Sequence, residues 1–223
     1  MILLKSVKKI YNKGKKNQHV VLENFNFQVE KGEFTAIMGR SGAGKSTVLH
    51  IIAALDNITD GSYQLDEIEV KGMSEKKRAK LRNEKIGILL QNFVLIDNET
   101  ALQNVMTPLL FSNIPFGKMK SKAKEALEKV GISHLEKQVV STMSGGEKQR
   151  VALARSIVNN PVILLADEPT GALDSKTAQG IMELLKKLNE TGTTILIVTH
   201  DTIVAQSCKR VVQIVDGKLM ANA

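Results

Sequence analysis

The feature that most constrains this chain is a glycine-rich stretch at residues 39–46, Gly-Arg-Ser-Gly-Ala-Gly-Lys-Ser. It fits the pattern G-x-x-x-x-G-K-[ST] and follows a strand-like segment, Phe34–Met38. After it, the apolar residues Val48, Leu49, Ile51, Ile52 and Leu55 predict a buried helix. Glycines let a backbone wrap around phosphates with its N–H groups pointing inward, and the start of the next helix adds positive dipole charge. The stretch therefore predicts a loop that binds a nucleoside triphosphate.

The side chains of the loop predict part of its chemistry. Lys45 is expected to reach the β- and γ-phosphates, and the Ser46 hydroxyl is expected to ligate Mg²⁺. Average residue usage gives the pattern a chance of about 1% of arising by accident in a chain of this length. The loop alone does not specify the reaction that follows binding.

Two adjacent acids follow a second apolar segment, Ile163–Ala166. Ligands gather at the carboxyl ends of strands in an open parallel sheet, which is where Asp167 and Glu168 would lie. Asp167 is predicted to complete the Mg²⁺ site through water, and Glu168 to polarise a water for attack on the γ-phosphate. This division of labour favours hydrolysis over transfer to a substrate. The alternative is a strand end with two solvated acids.

His200 ends the next apolar segment, Ile195–Thr199, and is therefore expected at the same sheet edge. Lone histidines are commonly structural, and that alternative applies here. A position beside a γ-phosphate favours a role in sensing its charge or positioning a water.

Ser144-Gly145-Gly146-Glu147 contains a capping box, Ser144 with Glu147, at the start of a helical pattern. The box explains its serine and glutamate. It does not explain two glycines in a first helical turn, where they cost stability. Bare N–H groups at a helix start form an anion site, and a single chain with a phosphate loop has no need of a second one.

Taken together, these segments resemble the ATP-binding cassette (ABC) family over the whole chain, in order and at family spacing. The resemblance assigns Tyr11 to adenine stacking, Gly39–Thr47 to Walker A and Gln91 to the Q-loop. It further assigns Ser144, Gly145 and Gly146 to the signature, Asp167 and Glu168 to Walker B, Asp174 to the D-loop, and His200 to the switch histidine.

The resemblance implies a Mg²⁺-dependent ATP hydrolase with Glu168, His200 and Gln91 as its catalytic residues. The metal ligands it implies are Ser46, Gln91 and Asp167. The residues implied to contact ATP are Tyr11, Gly39, Arg40, Ser41, Gly42, Ala43, Gly44, Lys45, Ser46, Thr47, Ser144, Gly145, Gly146 and Asp174. Two copies are expected to pair head to tail, so that the signature of each serves the nucleotide of the other.

The pattern of segments predicts an α/β fold. Helical spacing is predicted at 118–131 and 147–159, and the strand–helix–strand alternation of 162–167, 175–190 and 194–199 indicates a parallel sheet with crossover helices. Asp216-Gly217 predicts a hairpin turn of the primed type. With the resemblance, the fold class is a P-loop NTPase (RecA-like) parallel-sheet core with an N-terminal antiparallel β subdomain and a helical insertion. One domain over 1–223 is expected, with 1–94 and 160–223 forming the core and 95–159 the helical signature subdomain.

The subfamily is narrowed by Ala54-Leu55-Asp56, by residues 104–110 and by residues 167–175. They resemble the bacterial group that exports macrolides, releases lipoproteins or confers resistance to antimicrobial peptides. Members pair with a permease, and none is fused in this sequence, so we expect a separate membrane subunit. The protein is then expected in the cytoplasm, held on the inner face of the membrane by that permease. A cassette that transmits force in cell division remains an alternative.

Composition constrains the remaining possibilities. The net charge is +8, with basic clusters at 71–85 and 118–124, but only six Phe, two Tyr and no Trp are available to stack on bases. We therefore expect solvated helix faces and no nucleic-acid partner.

No apolar run approaches the roughly 18 residues of a membrane helix. The single cysteine, Cys208, excludes an internal disulfide and is expected to be a buried thiol.

Overall fold

The computed structural model describes residues 1–220, in two compact units formed by residues 1–79 with 194–220 and by residues 80–193. The strands are β1 (Ile2–Tyr11), β2 (His19–Val29), β3 (Phe34–Met38), β4 (Asp60–Leu65), β5 (Ile68–Glu69), β6 (Ile86–Leu90), β7 (Ile163–Asp167), β8 (Thr194–Val198), β9 (Arg210–Val215) and β10 (Lys218–Met220). The helices are α1 (Lys45–Ile52), α2 (Glu75–Lys85), α3 (Ala101–Met106), α4 (Phe116–Lys129), α5 (Gly145–Ile157), α6 (Ser175–Glu190) and α7 (Thr202–Gln206).

The first unit contains an antiparallel sheet in the order β2-β1-β4-β5. Its inner face is apolar because alternate residues of a strand point the same way, and Leu4, Val7 and Phe25 are almost fully buried. The β1–β2 register shifts between Leu4 and Val7, where Ser6 adopts a φ of +47°. This is the antiparallel subdomain that the sequence predicts.

A second set of strands in the first unit runs in the order β10-β9-β3-β8, with β3 parallel to both β8 and β9. Strands β9 and β10 form a hairpin whose turn residues, Asp216 and Gly217, have φ values of +47° and +71°. Positive φ at both central positions defines a primed turn, so that prediction is confirmed.

Helix α1 follows β3 and buries Val48, Leu49, Ile51 and Ile52. Leu55 is expected from the sequence to belong to the same buried helix. It instead follows the end of α1 and is 50% exposed, because Ala54 takes a left-handed backbone conformation with a φ of +52°. The helix is one turn shorter than its apolar spacing predicts.

The second unit pairs β6 with β7 in parallel, with Ile86 opposite Ile163 and Leu90 opposite Asp167. Helix α5 packs against β6, and α3, α4 and α6 pack against α5. Short 3₁₀ segments lie at 107–111, 133–135 and 140–142. Helix α6 has the bounds that the sequence predicts, and α4 and α5 each begin two residues before their predicted starts. The predicted subdomain boundaries at 94/95 and 159/160 stay a prediction.

Most basic side chains of α2 and α4 are exposed, as expected for solvated faces. Arg78 is an exception at 8% exposure, where it donates hydrogen bonds to the Asn57 amide oxygen and the Glu75 carboxylate.

Cys208 is only partly buried, and this burial raises the pKa of its thiol to about 12. Across residues 1–220, no helix combines the length and apolarity needed to cross a membrane.

Candidate nucleotide-binding and hydrolysis site

The glycine-rich loop lies where the sequence predicts it, between β3 and α1. Gly44 precedes α1 with a φ of +102°, a conformation that disfavours any residue with a Cβ atom. A Cβ atom on Gly39 would lie 2.4 Å from the carbonyl oxygen of Ile214 in β9. Glycine is therefore required at residue 39 by the close approach of another strand.

Lys45 is held within the loop. Its Nζ atom donates hydrogen bonds to the carbonyl oxygens of Gly39 at 2.7 Å and Arg40 at 2.9 Å. These bonds fold the ammonium group back over the loop, where phosphate oxygens would compete with the two carbonyls. The Ser46 side chain, at the next position of α1, is exposed.

An open cleft of about 900 Å³ borders the loop in the first unit. His200 lines it on the side of β8, and residues of β9 and the following turn line it elsewhere. The structure thus brings His200 to the phosphate loop, as the sequence predicts. The lining residues are Met38, Gly39, Arg40, Ser41, Gly42, Ala43, His200, Gln213, Ile214, Val215 and Asp216.

Tyr11, at the end of β1, is held by its hydroxyl group. The hydroxyl donates a 2.7 Å hydrogen bond to Asp56 Oδ2 and accepts one from the Thr47 hydroxyl of the loop. Burial, together with the carboxylate, raises the pKa of the Tyr11 phenol above its ordinary value. The sequence did not identify Lys9, and it marked Asp56 only as part of a subfamily segment, since nothing local in the chain links positions 9, 11 and 56.

In the second unit, Asp167 ends β7 and Glu168 follows it with a φ of +45°. This left-handed conformation is uncommon for a residue other than glycine, and such strain is concentrated at functional sites. A Cβ atom on Gly171 would lie 3.0 Å from Gln91 Nε2 and 3.6 Å from Glu168 Cβ. The side chains of Gln91 and Glu168 therefore both lie close to the same exposed glycine.

The segment after Gln91 is fixed by helix α5. Phe93 and Val94 have φ values of +56° and +48°, which is unfavourable above all for a β-branched residue. The Arg155 guanidinium donates hydrogen bonds to Phe93 O at 2.8 Å and Val94 O at 2.5 Å. Burial lowers the pKa of Arg155, which remains charged because arginine does not deprotonate in proteins.

Ser144 begins α5 with the capping box that the sequence predicts. Its hydroxyl accepts from the Glu147 amide, and Glu147 Oε2 accepts from the Ser144 amide at 2.8 Å. This backbone hydrogen bond lowers the pKa of Glu147. Ser144 and Gly145 are both exposed, so this helix start lies at the surface of the unit.

Gly146 packs tightly against helix α6. A Cβ atom at this position would lie 2.5 Å from Thr177 Cγ2. The Thr177 hydroxyl donates a 2.6 Å hydrogen bond to Asp174 Oδ2, and Asp174 also caps α6 by accepting from the Thr177 amide. These bonds lower the pKa of Asp174. The signature segment and Asp174 are thus connected through a single threonine.

The residues implied as metal ligands supply oxygen atoms of the kind that Mg²⁺ prefers: a hydroxyl from Ser46, a carboxylate from Asp167 and an amide from Gln91. Mg²⁺ commonly keeps several waters and uses few protein ligands, and these three oxygen donors are consistent with such a site. Over the described 220 residues, no group of three or more His, Cys, Asp or Glu side chains forms a metal cluster.

The predicted residues fall into two groups. The first unit holds the phosphate loop, Tyr11 and His200, and the second unit holds the others. Those of the second unit are Gln91, Ser144, Gly145, Gly146, Asp167, Glu168 and Asp174. Each group is assembled by the fold of its own unit.

Comparison with known proteins gives one family. The model of the ABC transporter family matches residues 22–171. The chain is 44% identical over 220 residues to the ABC transporter ATP-binding protein YknY of Bacillus subtilis, covering 99% of this chain and 95% of that protein. It is 42% identical to the macrolide export ATP-binding/permease protein MacB of Bdellovibrio bacteriovorus, covering all of this chain and 34% of the longer protein.

A solved structure is also similar. The cassette MJ0796 of Methanocaldococcus jannaschii, described as a dimer in a post-hydrolysis state bound to ADP and Pi, superimposes with a TM-score of 0.89 at 42% identity. The match covers 99% of this chain and 97% of that one. The fold predicted from the sequence, a P-loop NTPase core with an antiparallel β subdomain and helical segments, is confirmed by this match.

Proposed function

The chain belongs to the ABC transporter family of ATP-binding proteins, and from that premise we propose that it powers a separate membrane permease that exports or removes an antimicrobial peptide, a macrolide or a lipoprotein. As a member, it is an ATP-binding subunit that hydrolyses ATP. The observation that carries the proposal is the complete set of cassette motifs on a fold shared with a dimeric cassette.

ATP binding is assigned to the phosphate loop. Lys45, held over the loop by Gly39 and Arg40, exchanges these carbonyls for the β- and γ-phosphates of ATP. The Ser46 hydroxyl, with Asp167 and Gln91, would hold Mg²⁺, which neutralises charge on the phosphates. His200 supports this assignment because it lines the same cleft as the loop.

Hydrolysis is assigned to Glu168. Its carboxylate accepts a hydrogen bond from the attacking water and orients it in line with the leaving group. The left-handed backbone at Glu168 fixes the direction of the side chain, at a cost that the surrounding fold sustains. Gln91, which lies close to Gly171 as Glu168 does, is placed to sense the same nucleotide.

Pairing is supported by the start of helix α5. Ser144 and Gly145 are exposed at this helix start, and the positive end of the α5 dipole there is an anion site that the γ-phosphate of a second copy's ATP would occupy. The related cassette MJ0796 is dimeric in its solved structures. We therefore assign a head-to-tail dimer that forms on ATP.

The permease contact is assigned to an exposed apolar surface of the second unit. Leu110, Phe111 and Phe116 are 57%, 78% and 75% exposed at the end of one 3₁₀ segment and the start of α4. Grouped large apolar side chains at the surface mark interaction sites. Through this contact the subunit would lie on the cytoplasmic face of the membrane.

The test of transport is reconstitution with a candidate permease, sought first among the neighbouring genes. In liposomes, ATP hydrolysis by the complex should rise when the permease meets a peptide, macrolide or lipoprotein substrate, and the substrate should move. The alternative is force transmission in cell division. It predicts a division defect on deletion and no change in hydrolysis with any of the three substrate classes.

A further inference from the structure

We propose that Asp56 and Lys9 are positioning residues that hold the ring of Tyr11 in the orientation needed to stack on the base of ATP. The inference rests on the proposed function, since it takes Tyr11 to be the base platform. It gives a role at the site to Lys9, which no segment described above includes, and to Asp56, which above serves only to mark the subfamily. Neither is adjacent to the phosphate loop in sequence.

The three side chains form one connected network in the first unit. Asp56 uses both carboxylate oxygens: Oδ1 accepts from Lys9 Nζ at 2.6 Å, and Oδ2 accepts from the Tyr11 hydroxyl at 2.7 Å. Lys9 Nζ also donates to the Asn57 carbonyl oxygen at 2.8 Å. A carboxylate engaged on both oxygens cannot rotate without breaking a charge-assisted bond, so it fixes the phenol.

Burial makes the network stiff. Lys9 is only 7% exposed, so its ammonium group has little access to water and depends on Asp56 for its charge partner. Burial by itself raises the pKa of Asp56, but the hydrogen bonds from Lys9 and Tyr11 outweigh it and hold the pKa below the ordinary value. The carboxylate is therefore ionised, and a strong acceptor, near neutral pH.

The geometry also selects one face of the ring. Lys9 Nζ lies over the Tyr11 ring, 4.5 Å from its centroid, which is a favourable cation–π distance. Because the ammonium occupies that face, a base has only the opposite face on which to stack. The Thr47 hydroxyl donates a hydrogen bond to the same phenol, so the Tyr11 ring keeps a fixed position relative to the phosphate loop.

The test measures how much of the affinity depends on the base. Calorimetric titration with MgATP and with Mg-tripolyphosphate, which carries no base, separates the two parts. Tyr11→Phe keeps the ring and the Lys9–Asp56 ion pair but loses the hydroxyl. We expect it to bind MgATP about three- to tenfold more weakly, the effect of one hydrogen bond, and to bind tripolyphosphate as the wild type does.

Further variants establish that the effect passes through Asp56. Asp56→Asn should weaken MgATP binding to a similar degree, and the double variant should be no weaker than either single one. Tyr11→Ala removes the platform and should cost about 5- to 100-fold for MgATP only. Tyr63→Phe is the matched control, because the Tyr63 hydroxyl donates its 2.6 Å hydrogen bond to the Ile52 carbonyl oxygen and not to Asp56. This variant should bind both ligands with wild-type affinity.

Several outcomes would overturn the inference. Wild-type MgATP affinity in Tyr11→Phe would remove any positioning role. If MgATP and Mg-tripolyphosphate affinities fell equally, the network would only support the phosphate loop and would not orient the ring. If Asp56→Asn fails to fold, as a stranded Lys9 could cause, Tyr11→Phe alone decides. A wild-type protein that binds neither ligand would instead contradict the proposed function.

Discussion

The guanidinium of Arg155 in helix α5 donates a 2.8 Å hydrogen bond to the carbonyl oxygen of Phe93, two residues after Gln91. The bond joins the helix that begins at Ser144 to the turn that follows Gln91. Phe93 and its neighbour Val94 both have positive φ, so the turn is strained and needs outside support to persist. Arg155 supplies that support within the second unit.

The first prediction concerns this contact. Arg155→Met keeps most of the side-chain volume but removes both hydrogen bonds, so the free energy of unfolding should fall by about 1–3 kcal/mol. Amide hydrogen exchange at residues 92–96 should become faster than in the wild type. Lys118→Met, an exposed change on α4, is the control and should alter neither. Unchanged exchange at 92–96 would mean that the turn holds its shape without Arg155.

The second prediction concerns Glu168. Glu168→Gln should retain ATP binding but lose nearly all hydrolysis, because an amide cannot accept the proton of the attacking water. The bound ATP then persists, so gel filtration with light scattering should show a stable dimer at saturating MgATP. Glu128→Gln, on the exposed side of α4, should remain active. A Glu168→Gln protein that stays monomeric at saturating ATP would contradict the paired arrangement.

The third prediction concerns Lys45. Lys45→Ala removes the ammonium group that lies over the loop, so MgATP affinity should fall by at least about tenfold, the loss of one charge-assisted contact to phosphate. Loss of stability should be small because the side chain bonds only to Gly39 and Arg40. Lys148→Ala serves as the control in α5. Equal MgATP affinity in wild type and Lys45→Ala would remove this lysine from the site.

The fourth prediction concerns Ser144. Ser144→Arg fills the exposed helix start with a large side chain, so the isolated chain should bind ATP normally and hydrolyse it poorly. The change also removes a helix cap worth about 1 kcal/mol. Thr100→Ala controls for this, since Thr100 caps α3 with a capping box of the same type. Normal turnover in Ser144→Arg would show that the signature serine is only a cap.

The fifth prediction is a pH dependence of Tyr11. In Tyr63→Phe, Tyr11 is the sole tyrosine, and its phenolate absorbance at 295 nm should appear only above the ordinary pKa of 10. A folded-state pKa above the unfolded value stabilises the fold at and below pH 10, and that contribution disappears as pH rises through the folded pKa. Adding Asp56→Asn should lower the titration midpoint. A midpoint at or below 10 would contradict the burial of the phenol.

Much of the site was predictable because its signals are local. The phosphate loop, the acids after β7 and the capping box at Ser144 each depend on residues within about ten positions, where backbone chemistry dictates the pattern. The bounds of α6 followed from the strand–helix–strand alternation of the last third of the chain, and the structure adds Asp174 as the helix cap. Such features need no knowledge of the rest of the fold.

The remaining features depend on contacts between distant parts of the chain. Asp56 meets Tyr11 across 45 residues, and Arg155 meets Phe93 across 62. Leu55 was expected to be buried because its spacing fits α1, and that was wrong because Ala54 turns the backbone left-handed. Neither a long-range side-chain pair nor a left-handed alanine has a signature in its neighbouring residues.

The Ile214 carbonyl that closes on Gly39 has a consequence for the order in which the protein becomes competent. The phosphate loop at residues 39–46 is supported by β9 (Arg210–Val215), which follows it far along the chain, and Gly217 donates a further hydrogen bond to the Ala43 carbonyl oxygen in that loop. A nascent polypeptide that has emerged only through β8 therefore carries the loop without its support. We expect nucleotide to stabilise the loop only after β9 and the turn that follows it have been synthesised and have paired with β3.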